Sequence, residues 1–148
     1  MSGEGHKALV RRFYEELWNR GEERIADELF ATDYVRHDLR PGNAPPGAEG
    51  QKTIARQFRA AFPDVRLEVD VVLADEQYVA ARWTIRGTHR GVWGDIAPTG
   101  RRAEFCGVNI FRFAGDRVVE LWNHRDDLGL MQQVGAPIYA GHPDKPIA

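Results

Sequence analysis

Apolar residues near the N-terminus recur every three or four positions, which is the period of an amphipathic helix. This pattern predicts a helix over residues 5 to 19 and a second, shorter helix from Ile25 to Phe30, so that the two form a helical hairpin. Residues 36 to 49 are rich in proline and glycine and are predicted to be a loop. A third helix is predicted from Gln51 to Phe62, because Pro63 cannot continue it.

From Val65 onward the apolar period changes to two, the pattern of half-buried strands. Because strands joined by short turns pair antiparallel, helices followed by such strands predict an α+β fold, with the helices on one face of a curved antiparallel sheet. A sheet bent over helices leaves an internal pocket where small molecules bind. The predicted strands are Val65–Leu73, Tyr78–Thr88, Ala103–Phe113 and Val118–Asp126, with a loop at Gly91–Gly100 between the second and the third.

Length and composition indicate one folded domain over residues 1–148. The chain is 43% hydrophobic, which is enough to build a core and argues against disorder. The predicted core covers about residues 6–136. The tail that follows Ala136 contains three prolines and is predicted to be irregular.

Several classes of function are excluded by composition. The net charge is −2 with both signs interspersed, so no nucleic-acid partner is expected. The N-terminus has no apolar signal run and no stretch reaches the ~20 apolar residues of a membrane helix, so no membrane partner is expected. The single cysteine, Cys106, excludes an internal disulfide and fits a cytoplasmic protein.

The sequence also lacks the motifs of common cofactor sites and of a serine nucleophile. The chain has no phosphate-binding loop and no dinucleotide fingerprint, so no cofactor is expected. His37, His89 and His124 lack metal-ligand spacing, so no metal is expected either. The only serine is Ser2, which rules out a serine-type catalytic triad.

The last predicted strand carries the strongest chemical signal. Pleat counting places apolar, aromatic and ionisable side chains together on one face, with Asp126 at its end. Either this face meets solvent, or it lines a pocket in which desolvation raises the pKa of Asp126 towards the range useful for proton transfer. That face comprises Val118, Glu120, Trp122, His124 and Asp126, and the opposite face comprises Val119, Leu121, Asn123 and Arg125.

The third predicted strand supports the pocket hypothesis. Phe105, Gly107, Asn109, Phe111 and Phe113 share one face and resemble a cavity wall with a single polar group. Gly107 would leave room for a ligand. Asn109 would donate to a carbonyl or enolate oxygen, or else it is a satisfied core amide.

Further residues are predicted to contact the substrate, with core packing as the alternative for the aromatic ones. Trp93, in the predicted loop, is the favoured candidate for a ligand neighbour or lid residue. The predicted substrate-binding residues are Tyr14, Trp18, Tyr34, Trp83, His89, Trp93, Phe105, Gly107, Phe111 and Trp122.

Short motifs along the chain also form a recognisable series. They are Tyr34-Val35-Arg36-His37-Asp38, Pro46-Gly47-Ala48-Glu49-Gly50, Ala61-Phe62-Pro63-Asp64, Gly87-Thr88-His89-Arg90-Gly91, Pro98-Thr99-Gly100, Glu120-Leu121-Trp122 and the segment from Asp126 to Gly135. In this order and spacing, the chain resembles the SnoaL-like polyketide cyclase or ester cyclase family over roughly residues 6 to 136.

The resemblance implies a nuclear-transport-factor-2-like fold, which is a cone-shaped α+β barrel with a deep pocket, usually a homodimer and without metal or cofactor. In the cyclases an aspartate on the last strand is acid and base in an intramolecular aldol ring closure. By motif position this residue is Asp126, and Asp127 is the weaker candidate. Assisting polar residues fall at Asn109 and near His37, and His124 joins the catalytic candidates as the neighbour of Asp126.

The expected function is therefore acid–base cyclisation of a small hydrophobic, polyketide-like substrate. Two alternatives stay open: an epoxide-opening or hydroxylase-like enzyme of the same fold, and a non-catalytic protein that binds a small molecule. Outward-facing Val108, Ile110, Val119 and Leu121 indicate a sheet face that needs cover, which favours a homodimer.

Overall fold

The helical and alternating patterns of the sequence are realised as an α+β fold in the computed structural model, which describes residues 2–40 and 42–136. The predicted irregular tail lies outside the described residues, apart from Ala136. The helices are α1 (Gly3–Phe13), a π-helical segment (Tyr14–Asn19), α2 (Arg24–Leu29), α3 (Ala48–Ala61) and α4 (Asp127–Gln133). The strands are β1 (Phe30–Asp38), β2 (Arg66–Ala74), β3 (Tyr78–Thr88), β4 (Arg102–Ala114) and β5 (Arg117–Arg125).

The strands form one mixed sheet in the order β1-β5-β4-β3-β2. β2 to β5 pair antiparallel as predicted, whereas β1 pairs parallel to β5. The sheet is not closed into a barrel, since β1 and β2 form its two edges. No helix in the described part of the chain combines the length and the apolar character needed to cross a bilayer.

Strand β1 was missed by the sequence analysis, which assigned its first residue to a helix and its end to a loop. The reason is that only Phe30 and Tyr34 of this strand are buried. Their spacing of four residues suits a helix as well as a strand, and the intervening residues give no alternation.

The core lies between the helices and the concave face of the sheet. Phe13 of α1 contacts the rings of Phe30 and Phe111 edge-on, which ties the first helix to β1 and β4. After Phe13 the predicted single helix widens into the π-helical segment, in which Arg20 N–H bonds to Glu15 O at 3.1 Å. π-helical turns of this kind occur often at functional sites.

A β-bulge in β5 reverses the predicted facing of that strand. Arg112 of β4 pairs with Glu120 and Phe113 pairs with Val118, so Val119 is an extra residue without a partner. Val118 therefore faces the core, and beyond the bulge the inward residues are Leu121 and its alternate neighbours rather than Trp122 and His124. Pleat counting assumed an unbroken alternation and was wrong from this point on.

The loop between β3 and β4 packs into the core rather than over a pocket. The ring of Trp93 is 1% exposed and lies 6.1 Å from that of Phe58 in α3. His89 is fully buried, stacks on Phe62 and bonds through Nδ1 to the backbone N–H and hydroxyl of Thr99. The expectation that Trp93 and His89 contact a ligand is therefore not met by their positions.

His89 predicts an acid sensitivity of the fold. Burial lowers the pKa of His89 below its ordinary value of 6.5. Between the two values the unfolded chain binds a proton that the folded chain does not, so stability is full above about pH 6.5 and falls as the pH drops below it. Urea unfolding of the protein from pH 8 to pH 5 should show this decline. The dependence of the unfolding free energy on pH should be weaker in His89→Gln, which has no imidazole to protonate at this position. An unchanged dependence would contradict the assignment to His89.

Candidate active site

A cavity of about 90 Å³ lies between the π-helical segment, α3 and the inner face of the sheet. Its apolar walls come from the helices, from β2, β3 and β5 and from the segment that follows β1. Its polar groups come from the helices as well as from β1, β4, β5 and the segment that follows β1. Polar and charged lining residues are Tyr14, Arg36, Asp38, Arg40, Gln51, Asn109, Asn123, His124, Arg125 and Asp127. Apolar and aromatic ones include Phe13, Trp18, Leu39, Ile54, Leu67, Trp83 and Leu121.

Asn109 is the centre of a buried hydrogen-bond network on β4. Its Oδ1 accepts from Trp83 Nε1 at 2.7 Å and from the Tyr14 hydroxyl. Because an indole N–H can only donate, Trp83 fixes which end of the amide is oxygen. Asn109 Nδ2 then donates to Asn123 Oδ1 on the neighbouring strand.

The network continues outwards along β5 to the edge strand. Asn123 Nδ2 donates to Asp38 Oδ1 at 2.7 Å, and Asp38 Oδ2 accepts from Arg36 Nε at 2.9 Å. A carboxylate can only accept, so Asp38 fixes the far end of the amide pair as Trp83 fixes the near end. The direction of every hydrogen bond in this row is therefore determined.

Tyr14 and Asn109 together determine what the network offers to a ligand. Burial raises the pKa of Tyr14 well above its ordinary value, so its hydroxyl stays protonated and continues to donate. Both lone pairs of Asn109 Oδ1 are occupied, and one N–H is used by Asn123. The second N–H of Asn109 has no partner among the described residues and is the donor that this amide can present to the cavity.

A carboxylate bound by two arginines also lines the cavity. Asp127 is 7% exposed and accepts from Arg40 Nη2 at 2.8 Å and from Arg125 Nε. The guanidinium of Arg125 also lies 4.7 Å from the centre of the Phe58 ring, a cation–π distance. Asp127 is thus the buried acidic side chain of this cavity.

Asp126 does not lie in the cavity, which corrects the central expectation of the sequence analysis. It is exposed, follows the last residue of β5, and caps α4 by accepting from Gly129 N–H at 2.9 Å. A Cβ at position 129 would lie 2.2 Å from Asp126 Oδ2, so glycine is needed there for the cap to form. An aspartate three residues before the bonded N–H is an N-cap signature that was present in the sequence.

Five of the other predicted site residues line the cavity, namely Tyr14, Trp18, Trp83, Asn109 and His124, of which His124 is exposed. Predicted residues that do not line it fall into two groups. Tyr34, Phe105 and Phe111 are buried in the core, as is Gly107. At Gly107 a Cβ would lie 2.4 Å from the Trp83 ring, so the space beside this glycine is filled by Trp83 rather than left for a ligand.

His37 and Trp122 lie on the outer face of the sheet instead. Their rings stack with centres 5.0 Å apart, and His37 Nε2 lies 2.7 Å from Glu120 Oε2. His37 and Arg112 both bond Glu120 and lower its pKa. The bulge at Val119 explains why Trp122 lies on the outer face, so neither Trp122 nor His37 lines the cavity.

The cavity residues that the sequence analysis did not select include several charged and polar ones. Arg36, Asp38 and Arg40 lie on or after the unpredicted strand β1, and Asn123 and Arg125 had been assigned to the outward face of β5. A periodicity argument could have found Asn123 and Arg125 only with knowledge of the bulge, and the residues of β1 only with knowledge of that strand. Within the described ranges no group of His, Cys, Asp and Glu side chains is arranged to hold a metal ion.

Comparison with known proteins agrees with the motifs and the fold. The family model of the SnoaL-like polyketide cyclases matches residues 8–134. The solved structure of AclR from Streptomyces galilaeus, a proposed hydroxylase, is 30% identical, with a TM-score of 0.78 over 90% of this chain and 98% of AclR. IdmH from Streptomyces antibioticus, a proposed polyketide cyclase, is 30% identical, with a TM-score of 0.75 over 88% of this chain and 99% of IdmH.

TsrD from Streptomyces laurentii is also similar, with 25% identity and a TM-score of 0.82 over 93% of this chain and 99% of TsrD. No curated protein sequence matches the chain. The family model covers most of the chain, including every strand and every residue named in the cavity. The chain belongs to the SnoaL-like polyketide cyclase family.

Proposed function

We propose that the protein is a cofactor-independent acid–base enzyme that closes a ring in a small, partly aromatic substrate by an intramolecular aldol reaction. The observation that supports this is a buried carboxylate, Asp127, in the same cavity as the oriented amide of Asn109. One group can accept a proton and the other can donate a hydrogen bond to the oxygen that becomes negative.

In the proposed reaction Asp127 removes a proton from a carbon that lies between two carbonyl groups. The electron pair moves to one carbonyl oxygen, where the free N–H of Asn109 stabilises the enolate. The enolate carbon then attacks a second carbonyl carbon of the same molecule, forming a carbon–carbon bond and an alkoxide. Asp127 returns its proton to the alkoxide, so that no external reactant is consumed.

The cavity walls suit this chemistry. Trp18 and Trp83 line it and provide flat apolar surfaces for an aromatic substrate. Tyr14 and Trp83 hold the Asn109 oxygen, so the amide does not need to reorient as charge develops on the substrate. We assign proton transfer to Asp127 rather than Asp126 because the Asp126 carboxylate is exposed and engaged in the α4 cap.

The assignment is tested by comparing Asp127→Asn with Asp126→Asn. Asp127→Asn keeps the shape but removes the basic carboxylate, and turnover should fall on the order of 10²-fold. Asp126→Asn is the matched control, because asparagine caps helices about as well as aspartate and its turnover should be unchanged. The assay follows ring closure of an aromatic compound that bears an uncyclised β-dicarbonyl side chain, by chromatography against the synthetic product.

Thermal unfolding of both variants would show that the fold is retained. Full turnover by Asp127→Asn, together with a loss in Asp126→Asn, would restore the assignment made from the sequence motif. No turnover by the parent protein with any member of a panel of such compounds would instead favour a binding role.

Hydroxylation is a second candidate, because AclR, which is 30% identical, is a proposed hydroxylase. Ring closure by the proposed aldol route consumes no oxygen, whereas a hydroxylation by molecular oxygen does. An oxygen electrode with the same substrate panel therefore separates the two reactions.

We also propose that the outer face of the sheet is covered by a second copy of the chain. Val71, Leu73 and Tyr78 are exposed there, and Ile110 and Trp122 are only half-buried. Leu121, which had been counted with this face, points inwards. Leu73→Glu, in the apolar row, should shift the species seen by light scattering from dimer to monomer. A monomeric parent protein would contradict the proposal.

A further inference from the structure

Three arginines gather at one end of the cavity. Arg36 lies in β1, Arg40 follows β1, and Arg125 ends β5. The parallel register places Asp38 beside Asn123, so the segments that leave the two strands run next to each other. The chain as a whole has a net charge of −2, so this concentration of positive charge is local.

The described residues that line the cavity include fewer carboxylates than arginines. They are Asp38, bonded to Arg36, and Asp127, bonded to both Arg40 and Arg125. The other titratable lining groups are Tyr14, whose raised pKa keeps it neutral, and His124, whose imidazole adds no carboxylate to the cavity. Among the described lining residues, three guanidinium groups therefore face two carboxylates.

Arg40 has unused hydrogen-bonding capacity. Its Nη2 binds Asp127, while its Nε is buried without a hydrogen-bond partner among the described residues. A buried N–H without a partner is unfavourable, and the Arg40 side chain is 38% exposed and so has room to turn. An anion at the cavity end would satisfy both the charge and the donor.

We propose that this arginine end binds a carboxylate of the ligand, so that the protein takes an aromatic or polyketide-like acid rather than its ester. The inference rests on the cavity of the proposed function and adds the substrate class. A carboxylate matches the planar fork of a guanidinium, and the aromatic part of the ligand then packs against Trp18 and Trp83.

The test uses 2-naphthoate, with 2-naphthamide and methyl 2-naphthoate as uncharged ligands of similar shape. Isothermal titration at pH 7.5 should show that the protein binds 2-naphthoate at least about tenfold more tightly than either neutral ligand. Equal affinity for the three ligands would overturn the proposal, and so would the absence of any binding at millimolar ligand.

Substitutions of Arg40 test whether this residue causes the preference for 2-naphthoate. Arg40→Gln should weaken 2-naphthoate binding about tenfold and leave 2-naphthamide binding unchanged, while Arg40→Lys, which keeps the charge but loses the fork, should fall between. The matched control is Arg24→Gln, whose side chain is 90% exposed and remote from the cavity. Equal weakening of both ligands in Arg40→Gln would contradict the proposal.

Binding is measured without turnover, so the result is independent of the proposed reaction. Preferential binding of 2-naphthoate with no ring closure would support the carboxylate site and reject the cyclase mechanism. Ring closure that depends on Asp127, with equal binding of the acid and the neutral ligands, would support the cyclase mechanism and reject the carboxylate site. Thermal unfolding of each variant confirms that a lost affinity does not reflect a lost fold.

Discussion

Asn109→Leu should lower the free energy of unfolding by about 4 kcal/mol and abolish measurable turnover. Leucine has nearly the same shape but leaves Trp83 Nε1, the Tyr14 hydroxyl and Asn123 Oδ1 without their partner. Each buried polar group without a partner costs roughly 1–3 kcal/mol. Urea unfolding at pH 7.5 measures the first effect, and the ring-closure assay measures the second.

A pair of further variants tests whether the direction of the hydrogen bonds matters. Asn109→Asp keeps the acceptor for Trp83 but places an oxygen against Asn123 Oδ1, so it should also be destabilised. Adding Asp38→Asn lets Asn123 turn over, because position 38 can then donate to it. The double variant should regain about 1 kcal/mol relative to Asn109→Asp alone. If the losses of unfolding free energy in the two single variants simply added in the double variant, the hydrogen bonds of this row would not depend on one another's direction.

Gly107→Ala should destabilise the fold by about 3 kcal/mol. The added methyl group would lie 2.4 Å from the Trp83 ring and 2.6 Å from the backbone oxygen of His124. Backbone cannot yield as a flexible side chain can, so either the β4–β5 pairing or the Trp83 ring must shift. Because Trp83 orients Asn109, turnover should fall together with stability.

Gly42→Ala is the control for this substitution. Nothing lies within 4 Å of a Cβ built at Gly42, so this variant should unfold at nearly the same urea concentration as the parent. A Gly107→Ala variant as stable as Gly42→Ala would mean that Trp83 is not confined by the glycine.

The sequence predicted the regular parts of the fold well. The bounds Tyr78–Thr88 agree with those of β3, and the inward face of β4, which carries Phe105, Asn109 and Phe111, alternates as expected. These strands pair with their neighbours in the sequence, so local pattern and tertiary structure agree. Strand β1 could not be found in this way, because its partner β5 is distant in the chain and its exposed edge tolerates polar residues.

The candidate site was predicted less completely, for a related reason. Tyr14, Trp18, Trp83 and Asn109 were selected from regular elements and do line the cavity. Arg36 and Arg40 were not selected, because β1 was not predicted as a strand. Arg125 and Asp127 were not selected as site residues, because their facing depends on the bulge and on the end of β5 rather than on residue type. Neither Val118 nor Val119 differs chemically from an ordinary strand residue, so no local signal marks the extra position.

The bulge at Val119 determines which side chains of β5 line the cavity, because it offsets the alternation of the strand by one residue. Deleting Val119 alone would join Val118 directly to Glu120, and because these two residues already pair with Phe113 and Arg112, strict alternation would return with Asn123 and Arg125 still facing inwards. A residue gained or lost between Glu120 and Trp122 would instead turn every later side chain of β5 to the other face, so that Trp122 and His124 would replace Asn123 and Arg125 in the cavity. Single-residue insertions and deletions next to the bulge, rather than substitutions, are thus an evolutionary route by which this cavity can change its chemistry in one step.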